Sequence, residues 1–411
     1  MIGMGYIGLP TASILADRGF EVMGVDIDEK VLETIERGEV HISEPGLSEL
    51  VSRAVSSGKL RVGSSPVESD IFLIAVPTPY DRSRGVADLS YIETAVKEVA
   101  TVLKKGDLVI LESTSPVGTT DRVQRWMKSV RGDLTFPFEE GDESDIRIAY
   151  CPERVLPGNT LREMVENDRI VGGASRKCTQ KAISFYRSFI EGEPVETDAR
   201  SAEMVKLVEN AYRDVQIAFA NELSMLCEDA GVDVWKLISL ANRHPRVDIL
   251  RPGCGVGGHC IAVDPWFLIS DYPESTRLMK TARSVNDRKT LFVISRIKRA
   301  LQEYRYRRIR IFGIAFKPDI DDMRESPALS IVESLAKDLE DCEIEIVEPN
   351  IETLPDSLSI YPNMRLLPSG SGCTDEGINI FLVGHTPFSS IDCDGEALDF
   401  VDIVSHGVRC G

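Results

Sequence analysis

Gly3, Gly5 and Gly8 are spaced as G-x-G-x-x-G, in the run Gly3-Met4-Gly5-Tyr6-Ile7-Gly8 that opens a helix-like stretch. Each glycine answers a different demand of a dinucleotide site: a tight turn at Gly3, close approach of a pyrophosphate at Gly5, close helix–strand packing at Gly8. The positive end of the following helix attracts the phosphates. Asp26 follows the strand-like run Val22-Met23-Gly24-Val25, at the distance of about 20 residues where such sites carry an acid. A carboxylate there accepts from ribose hydroxyls and repels a 2′-phosphate, so the expected cofactor is NAD rather than NADP.

Three further groups could do chemistry. Gly255-Val256-Gly257-Gly258-His259-Cys260, with Asp264 following, places a cysteine on a glycine loop that a substrate can approach closely. A thiolate there, with a base nearby, is a nucleophile candidate. On residue type alone an incidental buried cysteine accounts for it equally well, and Cys254 lies only six residues earlier. Lys206, Asn210 and Arg213 are four and three residues apart, so in a helix they share a face; a solvated polar stripe would look the same. Glu112-Ser113-Thr114-Ser115-Pro116-Val117-Gly118 follows a strand-like run, where open α/β sheets bind ligands beyond the strands' carboxyl ends.

The elements that must position these groups fall into three regions. Up to about residue 195, short β-branched runs (21–25, 71–76, 108–111, 146–150, 169–171) alternate with helical patterns such as 91–103, which implies a parallel, doubly wound sheet. Residues 199–230 hold neither Pro nor Gly, and Val205, Val208, Tyr212, Val215, Phe219, Leu223 and Leu226 recur at helical spacing. Asp198 is the expected N-cap and Gly231 the expected stop of a helix about 48 Å long. From about 305 the α/β rhythm returns, with strands expected at 308–313, 343–347 and 378–383 and a helix at 327–339. Residues 351–377 read as loop. The fold class is α/β: two Rossmann-like doubly wound domains, 1–197 and 304–411, joined by a long-helix region, 198–303.

The 411-residue chain is too long for one core. Its net charge of −19 argues against nucleic-acid binding, which needs clustered Lys and Arg. No run of about 18 apolar residues occurs, so no membrane span is expected. Met1-Ile2-Gly3-Met4-Gly5 has neither a basic nor a long apolar stretch, so no secretory signal is expected and the cytoplasm is the expected compartment. Nine scattered cysteines, without a C-x-x-C pair, suit a reducing compartment rather than a disulfide framework or a metal site. Only Met1 and Ile2 precede the glycine turn, so the central strand of the first sheet is expected to be a stub.

Over nearly its whole length the chain resembles the UDP-glucose/GDP-mannose dehydrogenase family. The resemblance rests on Gly3–Gly8, Pro77-Thr78-Pro79, Glu112–Gly118, Tyr150-Cys151-Pro152-Glu153-Arg154, Lys206 with Asn210, and Gly257-Gly258-His259-Cys260. Gly313-x-Ala315-Phe316-Lys317-Pro318 and Asp322-Met323-Arg324-Glu325-Ser326 add to it. It implies an NAD domain, a helical dimerisation region giving a homodimer or higher oligomer, and a UDP-sugar-binding domain. It also implies a mechanism. Lys206 and Asp264, with a water, assist deprotonation of the sugar's primary alcohol, and Cys260 traps the aldehyde as a thiohemiacetal. A second oxidation gives a thioester that water hydrolyses, while Lys206 and Asn210 stabilise the oxyanions. Gly3, Gly5, Tyr6, Ile7, Gly8, Asp26, Thr78, Thr114 and Thr120 are then expected to hold NAD. Arg154, Val155, Lys206, Asn210, Arg213, His244, Arg246, Gly257, Lys317 and Arg324 are expected to hold the nucleotide sugar, and no metal is expected. Arg and Lys suit a diphosphate.

The cysteine loop separates branches of the family. Glucose and mannose enzymes usually show Cys-x-Pro-Lys-Asp, whereas here Cys260-Ile261-Ala262-Val263-Asp264 lacks the lysine, and Pro157 stands where glucose enzymes carry a glutamate. Cys260–Phe267 and Ala241-Asn242-Arg243-His244-Pro245-Arg246-Val247 are similar to the enzymes that oxidise UDP-N-acetyl-D-mannosamine. Enzymes oxidising UDP-N-acetylglucosamine are the alternative, their loops tending to carry Pro in place of Ala262. A two-electron β-hydroxyacid dehydrogenase would need neither the cysteine nor the second α/β domain. A catalytically silent NAD-binding sensor would have no use for Cys260, Lys206 and Asp264 together.

Overall fold

The computed structural model describes residues 1–155, 158–304, 306–393, 395–403 and 408–409. The chain divides into two compact units, Met1–Glu209 and Asn210–Gly411.

In the first unit the helices are α1 (Gly8–Asp17), α2 (Glu29–Glu36), α3 (Leu47–Ser56), α4 (Ser90–Ala100), α5 (Thr119–Val130), α6 (Pro137–Glu140), α7 (Thr160–Glu166) and α8 (Arg176–Tyr186). The strands are β1 (Val22–Val25), β2 (Leu60–Gly63), β3 (Ile71–Ile74), the small hairpin β4 (Tyr80–Asp81) and β5 (Val86–Ala87), β6 (Leu108–Leu111), β7 (Arg147–Tyr150), β8 (Arg169–Gly173) and β9 (Pro194–Asp198). β1 pairs with β2, and the order β3-β6-β7-β8-β9 continues the sheet beyond a central stub. Ile2 alone bridges Val25 on one side and Ile74 on the other, both in parallel. Four backbone bonds hold the stub: Ile2 to Leu73, Gly3 to Val25, Val25 to Met1 and Ala75 to Ile2, each 2.8 Å.

The apolar runs of β3, β6 and β7 are continuous because both faces of the sheet are covered. Leu73, Leu108, Ile110 and Ala149 pack toward α1, α3 and α8, with Leu9, Leu50 and Phe185. Their neighbours Phe72, Ile74, Val109, Leu111, Ile148 and Tyr150 pack toward α4 and α5, with Ile92, Val96, Val123 and Met127. This is the doubly wound arrangement, with one correction to an all-parallel sheet. β7 and β8 pair antiparallel, Ala149 opposite Gly173 and Tyr150 opposite Gly172. Such a pair needs no crossover over the sheet, and the connection carries only the seven-residue α7.

α9 (Ala199–Ala230) has the expected ends. Asp198 accepts from the Ser201 amide at 3.0 Å and the Ser201 hydroxyl at 2.6 Å, an N-cap. Gly231, at φ 66°, reverses the chain, its N–H bonding Glu228 O at 3.2 Å while Val232 N–H bonds Cys227 O at 2.9 Å, a Schellman stop.

The second unit adds α10 (Val234–Ala241), α11 (Asp264–Asp271), α12 (Arg277–Tyr304), α13 (Pro327–Asp338) and α14 (Asp356–Ser359). Its strands are β10 (Arg308–Phe312), β11 (Glu343–Val347), β12 (Met364–Leu367), β13 (Ile378–Phe381), β14 (Ala397–Asp399) and β15 (Val408–Arg409). They form one parallel sheet in the order β12-β11-β10-β13-β14-β15, the Rossmann order with its switch point between β10 and β13. Ile309, Ile311, Ile344, Ile346, Ile378 and Ile380 pack on α12 and α13, while Phe312, Val347, Phe381 and Phe388 form a core on the other face. Residues 351–377, expected as loop, include α14 and β12.

The cysteine reading needs correction as well. Cys373 and Cys393, 20 residues apart with Cα atoms at 5.4 Å, form a disulfide; spacing along the chain gave no sign that two loops would bring them together. Among the described residues, no helix is long and apolar enough to cross a membrane.

Candidate active site

The glycine turn in the first unit has the geometry its residue types demand. Gly3 sits at φ 88°, and a Cβ on it would lie 2.5 Å from Ala75 O. A Cβ on Gly8 would lie 1.8 Å from Gly3 O, so α1 can start here only with glycine. A Cβ on Gly5 meets nothing within 4 Å, so this glycine faces open space. Asp26 closes the turn from β1: its Oδ2 accepts the Met4 amide at 2.8 Å and its Oδ1 the Asp28 amide at 3.0 Å. Beside it Ile27 is 83% exposed, and half-exposed Tyr6 lies on the turn itself. The ring of His41 is held below its ordinary pKa by burial, against the pull of Asp26 and Asp28. After β3, the buried Thr78 Oγ1 has no partner among the described residues. An orphaned hydroxyl, an open glycine and a helix start fit a dinucleotide.

The run after β6 is braced from behind. Ser113 Oγ accepts the Val76 amide at 2.9 Å, and Ser115 Oγ donates to Ser113 O at 2.7 Å. Thr114 is the half-exposed member among buried neighbours. Thr120 is buried, and its amide and hydroxyl both donate to Glu203 Oε1, at 2.7 and 2.6 Å. The other oxygen of Glu203 accepts the Gly118 amide at 2.5 Å. A side-chain carboxylate on α9 therefore occupies the amino end of α5, three residues before Lys206, which is itself buried.

Beneath this run lies a buried ionic cluster. The Tyr186 hydroxyl donates to Glu112 Oε1 at 2.7 Å, and burial pushes the Glu112 carboxyl up to about 7. Glu153 pairs with Arg169, and Arg169 lies over the Tyr186 ring at 5.4 Å. Burial pushes the neighbouring Cys151 thiol up to about 12, so it is not a nucleophile. Arg154 reaches Glu209 at 2.7 Å and Asp168 O at 2.6 Å, and Val155 is half-buried. Pro157 lies outside the described residues.

In the second unit, Asn210 Nδ2 donates to the buried Asp264 Oδ2 at 2.5 Å. Asp264 opens α11, and its amide bonds Cys260 O at 2.8 Å, so half-buried Cys260 and the carboxylate belong to one turn. The glycines before it allow backbone to pack on backbone. A Cβ on Gly257 would lie 2.6 Å from Glu325 O, and one on Gly258, at φ 81°, 2.8 Å from the Phe316 ring. Gly258 N–H donates to Arg324 O at 3.1 Å, and the Arg324 guanidinium forks onto Asp322 at 2.9 and 2.6 Å. The structure thus joins Cys260, Asp264, Asn210 and Gly257 to the segment carrying Arg324 and the half-buried Lys317. The start of the cysteine loop is anchored on a buried chain of hydrogen bonds between α9 and α12. Gly253 N–H donates to Asn221, Asn221 to Asn286, and Asn286 to Asp214, which pairs with Arg283 at 2.8 Å.

Arg213 is exposed on α9, and His244 and Arg246 lie on an exposed stretch where His244 Nδ1 accepts the Arg246 amide at 3.3 Å. Ile27, Glu203, Phe316, Asp322, Glu348 and His385 join the site only in the folded chain. Phe316 and Asp322 lie inside the Gly313–Pro318 and Asp322–Ser326 motifs, which is a local signal; the long-range partners of Glu203 and His385 leave none.

Three family models match the chain in order. They are the NAD-binding domain of the UDP-glucose/GDP-mannose dehydrogenase family over residues 1–190, its central domain over 200–288 and its UDP-binding domain over 310–398. The chain belongs to the UDP-glucose/GDP-mannose dehydrogenase family. As a member it is an NAD-dependent nucleotide-sugar dehydrogenase, with the NAD-binding domain first and the UDP-binding domain last. It is 52% identical to the UDP-N-acetyl-D-mannosamine dehydrogenase of Campylobacter jejuni, covering 96% of this chain and 97% of that protein. It is 53% identical to the NDP-N-acetyl-D-galactosaminuronic acid dehydrogenase of Ralstonia nicotianae, covering 96% and 92%. The solved structure of the UDP-D-ManNAc dehydrogenase from Pyrococcus horikoshii is similar at a TM-score of 0.87 and 37% identity, over 99% of this chain and 96% of that one.

Proposed function

We propose that this enzyme oxidises UDP-N-acetyl-D-mannosamine at C-6 to UDP-N-acetyl-D-mannosaminuronate, in two oxidations on one site. The observation that supports the reading is the Asn210–Asp264 hydrogen bond, made by a carboxylate whose own amide bonds Cys260 O, so that an amide donor, a carboxylate and a cysteine meet at one turn of backbone. Bound NAD supplies the hydride acceptor for each oxidation; Gly3, Gly5, Tyr6, Ile7, Gly8, Asp26, Thr78 and Thr114 would hold it. Thr120, turned onto Glu203, supports that loop from behind. Asp264 and Lys206, with a water, take the alcohol proton. The Cys260 sulfur adds to the aldehyde carbon, and Asn210 and Lys206 stabilise the oxyanion. After the second oxidation water attacks the thioester, the carbon–sulfur bond breaks, and the carboxylate and thiol are released.

Arg154, Val155, Arg213, His244, Arg246, Gly257, Lys317 and Arg324 are assigned to the nucleotide sugar. We divide the chain at 1–197, 198–303 and 304–411, with the middle part making a homodimer at least: Val208, Tyr212, Phe219 and Leu226 leave an exposed apolar stripe along α9. The cytoplasm is the assigned compartment. The similarity to a galactosaminuronate enzyme favours UDP-N-acetylgalactosamine as the second reading. Comparing UDP-ManNAc, UDP-GalNAc, UDP-GlcNAc and UDP-glucose by kcat/KM tests the choice. UDP-ManNAc should lead by at least about tenfold; a higher value for any of the others overturns the assignment.

A further inference from the structure

In the second unit, three loops leave the carboxyl ends of β11, β10 and β13, three adjacent strands of which the last two flank the switch point. Each supplies one part of a buried clamp. Glu348, directly after β11, accepts on Oε2 the amides of Ile314 at 2.7 Å and Ala315 at 3.2 Å. His385, four residues past β13 and fully buried, lies with Nε2 3.1 Å from the same oxygen. Its Nδ1 accepts the Asp319 amide at 2.9 Å and lies 3.3 Å from Asn350 Nδ2. A backbone amide can only donate, so Nδ1 is the acceptor nitrogen and the proton sits on Nε2, facing Glu348. Asp319 returns the contact, its carboxylate accepting the Thr386 amide at 2.8 Å and hydroxyl at 2.6 Å. Asp319 holds φ 60°, a left-handed conformation that a non-glycine residue keeps only when its surroundings impose it.

One carboxylate–imidazole pair therefore holds both ends of the span 314–319: Glu348 at the start, His385 at the finish. Between them lie Phe316, whose ring walls the glycine loop at Gly258, and Lys317. We infer that His385 is a positioning residue for the nucleotide sugar, fixing through its Nδ1 the loop that presents Lys317 and, beyond it, Arg324. The inference rests on the reading that these two cations hold the nucleotide. It assigns His385 no contact with substrate and no proton transfer.

The two ring nitrogens can be tested separately. In His385→Asn the side-chain oxygen stands where Nδ1 stood, so the Asp319 bond survives while the Glu348 bond is lost. In His385→Gln the amide nitrogen stands where Nε2 stood, so the Glu348 bond survives and the acceptor for Asp319 is lost. His385→Ala loses both. Calorimetric Kd for UDP and steady-state KM for nucleotide sugar and NAD are measured on the full chain of each. His385→Ala and His385→Gln should raise Kd for UDP and KM for the sugar by about tenfold, the effect of one unmade buried hydrogen bond. His385→Asn should stay within about threefold of the unaltered chain, and KM for NAD within about twofold throughout. The inference is overturned if UDP affinity is unchanged in His385→Gln, if Asn and Gln variants weaken it equally, or if NAD and UDP affinities fall together. Should His385→Ala not fold, the Asn–Gln contrast alone decides. An unaltered chain that fails to bind UDP removes the nucleotide reading beneath the inference, whereas firm UDP binding with indifferent variants removes only the role of His385.

Discussion

The two sheets share a strand order, and each places an acidic residue after the strand beside its central one, yet the two acids do opposite things. Asp26 accepts one amide of the first turn, at Met4, and stays half-exposed beside exposed Ile27, with Gly5 open to the outside. Glu348 takes two amides of the second turn and is buried against His385, and in the same turn a Cβ on Gly313 would lie 2.4 Å from Val383. A pyrophosphate needs those amides pointing at it. The first turn leaves room for one; the second has closed that place with its own side chains. The fold therefore sets where a ligand can bind, and the use made of one carboxylate decides which kind does.

The buried carboxylates extend the contrast. Burial raises Glu112 to about 7 in the first unit. Burial also works against the charge of Glu348, but bonds from His385 and the Ile314 and Ala315 amides outweigh it and hold its carboxyl below the ordinary range. Burial favours the neutral form of the first acid, and hydrogen bonds favour the charged form of the second.

The largest effect falls on the chemistry that both turns serve. Cys260→Ser should lower uronate formation by at least about a thousandfold while NAD and UDP still bind, since only the covalent trap is lost. Steady NADH production at the original rate would remove the cysteine from the mechanism. Next, Glu348→Ala should cost about 2–4 kcal/mol in urea unfolding, because two amides and an imidazole lose their acceptor in the interior. A loss below about 0.5 kcal/mol would show that the second turn is not closed by this residue.

The pH dependence separates the two acids. Glu112 has its folded pKa raised, so its contribution is full below the unfolded value near 4.5 and is lost as pH rises through about 7. Glu112→Gln should therefore remove about 2–3 kcal/mol of the stability decline between pH 5 and pH 8. Glu348, with its folded pKa depressed, contributes above the unfolded value and loses that contribution as pH falls through the folded one. Glu348→Gln should flatten the acid side only. Identical profiles for the two variants would contradict the contrast. The smallest effect concerns cofactor choice: the unaltered chain should prefer NAD over NADP by about a hundredfold in kcat/KM, and Asp26→Ser should narrow this to about tenfold. Equal use of both cofactors by the unaltered chain would mean that Asp26 does not face the ribose.

What was legible in the sequence was local or periodic. The α9 helix was readable at both ends, from Asp198 and Gly231, because capping is written within a few residues. The apolar run of β6 marked that strand to the residue, since burial on both faces admits little else, and the β-branched Ile344, Ile346 and Val347 marked β11. The antiparallel β8, the strand β12 inside a Pro- and Ser-rich stretch, and the Cys373–Cys393 bridge depend on which segments meet in space, which no local pattern records. In the site, the glycines, Asp26, Cys260 and Asp264 are short-range motifs. Glu203 with Thr120, 83 residues away, and His385 with Asp319, 66 away, are pairings that only the folded chain reveals.

The central claim is that one site carries out two successive oxidations with Cys260 holding the carbon between them. It is tested most directly by counting NADH against uronate with UDP-N-acetyl-D-mannosamine as the limiting substrate. Two NADH for each uronate, with no aldehyde released, is the predicted result; one NADH for each sugar consumed, with aldehyde as the product, would contradict it.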